Sequence, residues 1–391
     1  MRFDRRSPSC YVAHVKFLLA LLAGWILSAL GRRRNEGRRP CVIMTGNHSL
    51  SGNLLAFYQY AESKGDLPYD VYYATIDRRE YETVVRTWKR RILLVTRLGD
   101  MRTLLGASCI MTSHGPGILY LLRRLRPGIR FVDVGHGVGF KRHDPKEFKL
   151  AHSYDACFVS SERARRMYRD TFGFREDQLV LTGYARLDRF RRADEIAPRV
   201  REELHVEGSG PIVLYAPTWR ERGEPGEIPF GMQAGEFLRA LNSLCERIGA
   251  TMIFRLHMNS TLLDDLGEFP RIRSVPQAEY PETNDLLTAV DLLITDWSSI
   301  ATDFYVLDRP VVYIDSPRLA GYAHVPDGAE RAGSHAASMD ELLDTIERDL
   351  QADPAEVRGR QAAMKQSFHS HSLDGRAAER YDRAIRLLLD R

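Results

Sequence analysis

His136 stands inside "DVGHGVGFK" (Asp133–Lys141), flanked by glycines at the end of an apolar run. Small neighbours let a substrate approach the imidazole, which exchanges a proton near neutral pH without a large pKa shift. A buried histidine satisfied by backbone groups is the competing reading. Lys141 follows five residues on. A second histidine, His257, closes "TMIFRLH", with Arg255 two residues before it. Alternation along a strand puts those two on one face, an arrangement better suited to an anion than to a core. "LYAPTWR" ends another apolar run, and its proline presents the following Thr218 and Arg220 outward. In "TGYARLD" (Thr182–Asp188), the planar fork of Arg186 matches paired phosphate oxygens, or alternatively pairs with Asp188 to stiffen a hinge.

The densest cluster is "TDWSSIATDF". Asp296 ends the apolar "LLITD", and Ile300, Phe304 and Leu307 then recur at i, i+4, i+7, the spacing of a helix with one buried face. Ser298 or Ser299 is the expected N-cap, so free N–H groups and the positive end of a helix dipole are available to a phosphate. A plain cap needs one serine. Asp296, Ser298, Ser299 and Asp303 within one turn point to an anionic ligand that also carries hydroxyls. "GNHSLSGN" (residues 46–53) suits a tight turn near a polar ligand or an ordinary capping turn.

Strands must deliver these residues to one edge. Apolar runs at Cys41–Thr45, Val71–Thr75, Ile92–Thr96, Cys109–Ser113, Phe131–Gly135, Cys157–Ser160 and Leu179–Thr182 alternate with helical stretches. That alternation predicts a parallel sheet covered by helices. A charged segment without apolar periodicity, Arg189–Gly210, reads as a linker. A second alternation then runs through Pro211–Arg220, Thr251–His257, Asp291–Asp296 and Pro310–Asp315. Ligands of doubly wound sheets bind beyond the carboxyl ends of the strands, where every residue singled out above falls. The expected class is α/β, with two Rossmann-like domains at 40–195 and 196–391 facing a cleft, preceded by a membrane-associated helix within 1–39.

That helix rests on charge and length. Residues 1–40 carry nine Lys or Arg against Asp4 and Glu36, a local +7, while the whole chain of 391 residues sums to only +4. Basicity confined to one end argues against a nucleic-acid binder and for an anionic membrane surface. Between the basic clusters lies "YVAHVKFLLALLAGWILSAL" (Tyr11–Leu30). Its uninterrupted apolar part, Phe17–Leu30, falls short of the roughly 20 residues that cross a bilayer. It is therefore expected to lie in the interface or to span only marginally, with an ordinary buried helix or a cleaved signal peptide as the competing readings. Arg32–Arg39 would keep the rest on the cytoplasmic face. Five cysteines, scattered and odd in number, form no C-x-x-C pair that would suggest a zinc site or a redox couple, which fits a reducing cytosol.

Taken together, the motifs resemble the CDP-glycerol glycerophosphotransferase family, which makes teichoic-acid-type polymers. "HGVGFK" is similar to that family's H-G-T-P-x-K element, "TGYARLD" to G-Y-P-R-x-D, "LYAPTWR" to Y-A-P-T-W-R and "RLH" to K-L-H-P. "TDWSSIATDF" is similar to T-D-Y-S-S-x-x-x-D-F, and "LDGRAAER" to D-G-x-A-S-x-R. The resemblance implies a GT-B fold and transfer of a polyol phosphate from a CDP-polyol to a hydroxyl on a lipid-linked acceptor, releasing CMP. It implies His136 as general base and His257 as a ligand of the donor phosphates, with Thr218, Asp296, Ser298, Ser299 and Asp303 around the donor. No D-x-D motif occurs, so neither metal nor cofactor is expected; Lys141, Arg186, Arg220, Arg255 and helix dipoles would neutralise the diphosphate. Val138 and Gly139 stand where the family has Thr-Pro, and Met258 follows His257 in place of proline. The stretch after Ile314 is only loosely similar. A GT-B glycosyltransferase or epimerase-like enzyme using a nucleotide sugar is the alternative, and a catalytically silent membrane scaffold a third.

Overall fold

A computed structural model describes residues 16–19, 21–22, 39–46, 50–88, 91–115, 117–137, 151–206, 208–218, 228–255, 268–277, 279–315 and 330–390. These divide into two compact units, one drawn from 1–136, 143–188 and 376–391, the other from 137–142 and 189–375.

The first unit is built on a seven-stranded parallel sheet: β1 (Cys41–Thr45), β2 (Asp70–Thr75), β3 (Ile92–Leu94), β4 (Cys109–Thr112), β5 (Arg130–Asp133), β6 (Ala156–Val159) and β7 (Leu179–Leu181). Their spatial order is β3-β2-β1-β4-β5-β6-β7. Helices cover both faces, which is why β1, β4 and β6 read as unbroken apolar runs rather than as alternating ones. Each buried Val, Ile, Leu or Phe contributes about 1.5–3 kcal/mol relative to exposure. The C-terminal helix Ala377–Leu389 belongs to this core through Tyr381, Ile385 and Leu388, although it follows the second sheet in sequence. Asp188 draws it in by accepting from the N–H groups of Ala377 (3.0 Å) and Ala378 (2.8 Å), and Arg380 Nε donates to the Thr182 carbonyl at 2.7 Å.

The second unit has a six-stranded parallel sheet: β8 (Ile212–Tyr215), β9 (Thr251–Phe254), β10 (Ile272–Ser274), β11 (Leu292–Thr295), β12 (Val311–Ile314) and β13 (Ser334–Ala336), in the order β10-β9-β8-β11-β12-β13. The edge strands β10 and β13 are three residues long and polar, so they carry no apolar run by which a sequence could announce them.

The expected linker is in part regular structure. Residues Ala193–Glu203 form a helix with only Val200 fully buried, which explains the missing periodicity. It docks on helix Thr283–Ala289 through charge, with Arg199 Nη2 2.9 Å from Asp285 Oδ2 and Arg189 on the same oxygen.

At the N-terminal end, residues 16–19 and 21–22 are helical. Phe17 and Leu21 are buried in the first unit's core beside Ile43, Leu104 and Leu122, whereas Leu18, Leu19 and Leu22 are 46, 63 and 57% exposed. No helix among the described residues is long and apolar enough to cross a membrane. The remainder of Tyr11–Leu30 lies outside the described residues.

Candidate active site

In the first unit the carboxyl ends of β1, β5 and β7 converge on one buried amide. Asn53, 3% exposed, donates from Nδ2 to the carbonyls of Val134 (2.9 Å) and Gly135 (3.0 Å) and accepts the Arg186 N–H on Oδ1 at 3.1 Å. It thereby ties together the turns that carry His136 and Arg186. "GNHSLSGN" signals a polar turn, but nothing in it singles out its last residue; residues 47–49 are outside the described set.

His136 is exposed at the end of β5. Gly135 precedes it at φ +63°, with Tyr184 only 3.3 Å from where a Cβ would stand. His136 Nδ1 lies 3.0 Å from the Ser113 carbonyl. A carbonyl only accepts, so Nδ1 carries the proton and Nε2 of the neutral ring is the lone-pair nitrogen. His114, at the end of neighbouring β4, stacks on His136 with centroids 4.2 Å apart and planes 16° from parallel. "TSHG" holds no family-like element, so sequence reading passed over it. Asp133 Oδ1 accepts the Gly135 N–H at 2.7 Å, and burial pushes this carboxyl up to about 6. Arg186 is buried with its guanidinium carbon 4.5 Å from the centre of the Tyr184 ring, a cation–π contact.

In the second unit Thr218 and Asp296 are brought together. The Thr218 N–H (2.8 Å), its hydroxyl (2.6 Å) and the Trp297 N–H (2.6 Å) all donate to Oδ1 of the fully buried Asp296. The carboxylate is thus spent at least in part on clasping the turn after β8 to the turn after β11. Thr295 Oγ1 reinforces it by donating to the Ala216 carbonyl at 2.7 Å.

The helix after Ser298 and Ser299 differs from expectation. It spans only Ile300–Phe304 before tightening into a 3₁₀ turn, Tyr305–Leu307, and Ala301 to Tyr305 are buried all round instead of along one stripe. So short a helix sums few peptide dipoles, and the serines matter more as hydroxyls than as the end of a dipole. Ser299 holds the N-cap position without a capping hydrogen bond from its side chain, and both serines are part-exposed. Asp303 points inward, where Asn284 Nδ2 donates to Oδ2 at 3.3 Å and Nε2 of the fully buried His369 lies 3.5 Å from Oδ1. Sequence reading missed both partners, which are 19 and 66 residues away.

Arg255 is also drawn into the fold. Its guanidinium donates to the carbonyls of Val275 (3.3 Å) and Tyr280 (2.9 Å) and to Thr283 Oγ1 (2.8 Å), and burial lowers its pKa to about 10. The strand-face argument placed it correctly at the end of β9 but took no account of these acceptors. Lys141, Arg220 and His257 lie outside the described residues. Cys41, Cys109, Cys157 and Cys245 are buried free thiols, and desolvation raises Cys41 and Cys245 to about 12, far from nucleophilic character.

Comparison with known proteins agrees with the family that the motifs resemble. Residues 38–387 match the family model described as CDP-Glycerol:Poly(glycerophosphate) glycerophosphotransferase. The chain is 28% identical over 321 residues to a teichoic acid ribitol-phosphate polymerase, TarK, of Staphylococcus aureus (strain NCTC 8325 / PS 47), covering 77% of this chain and 60% of that protein. It spans about half to three fifths of the length of the first curated relatives it matches. A structure of the wall teichoic acid polymerase TagF, H444N with CDPG, superposes with a TM-score of 0.73 at 16% identity, covering 97% of this chain and 98% of that one. UDP-GlcNAc 2-epimerase from Neisseria meningitidis shares the fold more distantly, with a TM-score of 0.58, 10% identity and coverage of 90% and 100%.

Proposed function

The chain belongs to the CDP-glycerol:poly(glycerophosphate) glycerophosphotransferase family, and from that premise we propose that it transfers a polyol phosphate from a CDP-polyol to a hydroxyl of a lipid-linked acceptor in cell-wall polymer synthesis. The observation that carries the mechanism is the His136 Nδ1 contact with the Ser113 carbonyl, which leaves Nε2 able to take a proton. Nε2 removes the acceptor hydroxyl's proton as that oxygen attacks the phosphorus bearing the polyol. A new P–O bond forms, the bond to the bridging oxygen breaks, and CMP departs with the bonding pair. Holding the base in one tautomer and orientation is what an anchoring acceptor contributes. On the second unit, the Ser298 and Ser299 hydroxyls receive the donor, and Asp303, four residues after Ser299, is held by Asn284 and His369. His257, Lys141, Arg220 and Arg186 are assigned to the donor phosphates on the motifs alone.

The test is CMP release from CDP-glycerol in the presence of membranes. His136→Ala is expected to lower kcat by about 10²–10⁴, the usual contribution of general base catalysis. Normal turnover by this variant, with its fold intact, sinks the mechanism. Thermal shifts with CDP-glycerol, CDP-ribitol and UDP-sugars then identify the donor, because a ligand that binds the native state raises Tm by mass action. A shift with UDP-sugars alone selects the nucleotide-sugar alternative.

The membrane reading takes an interfacial form. A helix that buries Phe17 and Leu21 in protein while exposing Leu18, Leu19 and Leu22 suits a surface seat, and Arg32–Arg39 suits anionic headgroups on the cytoplasmic side.

A further inference from the structure

The stacked partner of His136 has no role in the scheme above. β4 and β5 are adjacent and parallel, with Thr112 opposite Asp133 and the Val134 N–H bonded to the Thr112 carbonyl at 2.8 Å, so the two turns leave the sheet at the same level. Ser113 then serves both rings. Its carbonyl takes His136 Nδ1 at 3.0 Å, and its hydroxyl lies 2.9 Å from His114 Nδ1. Gly115 at φ +89° and Gly135 at φ +63° give each turn the sharp exit that lets the rings lie face to face. Two imidazoles 4.2 Å apart cannot both be charged without strong repulsion. One neutral ring beneath one imidazolium is instead favourable, because the π face of an aromatic ring attracts a cation.

We propose that His114 is a positioning residue of the transferase, a neutral aromatic platform that fixes the His136 ring and carries the imidazolium formed when His136 takes the acceptor's proton. This rests on His136 being the base. Once His136 is charged, any stabilisation by His114 acts on the transition state more than on the bound donor, so the platform should appear in kcat and not in KM for the donor.

The experiment compares His114→Ala, His114→Gln and His114→Phe in the full chain, with CDP-glycerol and membranes. Ala and Gln, which remove the ring, should each lower kcat at least tenfold with the donor KM within twofold of wild type. Phe, which keeps an aromatic face without a titrating nitrogen, should stay within about threefold. The ring current on the His136 Cε1–H proton, read by NMR without substrate, should be lost in Ala and Gln and kept in Phe. Wild-type kcat in Ala and Gln overturns the proposal, as does a Phe variant as impaired as Ala. Because His136→Ala is run beside them, failure of the base assignment, seen as normal turnover there, is told apart from failure of the platform.

Discussion

Asp133 shows how the end of β5 trades stability for placement. Burial raises its pKa from 3.8 to about 6, against the lowering effect of the Gly135 N–H bond. The native state therefore holds this proton to higher pH than the unfolded chain does, so Asp133 favours folding below about pH 4 and loses that advantage as pH rises through about 6. Above that window the cost is about 2–3 kcal/mol. Asp133→Asn keeps a carbonyl for the Gly135 N–H and removes the titration. Urea unfolding is expected to show it more stable than wild type by about that amount at pH 7, with the difference vanishing near pH 4. Gly135 itself admits no side chain without strain. Gly135→Ala should cost about 1–2 kcal/mol through its positive φ and reduce kcat because the new methyl meets Tyr184 and displaces the turn that carries His136, measured by thermal unfolding beside CMP release.

Among elements, the joints are polar and span long sequence distances. Asp188 caps the helix Ala377–Leu389 from nearly two hundred residues upstream. Asp188→Ala should cost about 1–2 kcal/mol, the usual value of a lost N-cap, and should speed amide exchange in that helix before any other of the first unit. The Asp296 clasp is the second unit's counterpart. Asp296→Ala orphans three donors around Thr218 and Trp297, so about 3 kcal/mol of stability is expected to go with it. Loss of donor binding without loss of stability would instead make Asp296 a ligand group.

At the scale of the molecule, a leucine face and a basic N-terminal stretch are together expected to seat the protein on lipid. Leu18→Ser, Leu19→Ser and Leu22→Ser combined should weaken co-sedimentation with anionic vesicles while leaving Tm unchanged, because those side chains are exposed and Phe17 and Leu21 still pack. Equal binding by the triple variant would assign membrane attachment to the arginines alone.

Sequence by itself determined where the chemistry-bearing residues stand along the chain, because an apolar run followed by Gly, Pro or Ser marks a strand and its exit whatever lies around it. By that route His136, Arg186, Thr218, Asp296 and the two serines all fell at strand ends. Only the tertiary structure decided what those side chains are committed to: Arg255 to the carbonyls of Val275 and Tyr280, Asp303 to Asn284 and His369, His136 to Ser113 and the face of His114. Periodicity encodes which way a side chain leaves its own backbone, whereas its partners come from segments tens to hundreds of residues away and leave no trace in local spacing. The short polar edges β10 and β13 and the ion-paired helix Ala193–Glu203 stayed hidden for the same reason, since pairing and charge hold them in place more than an apolar stripe does.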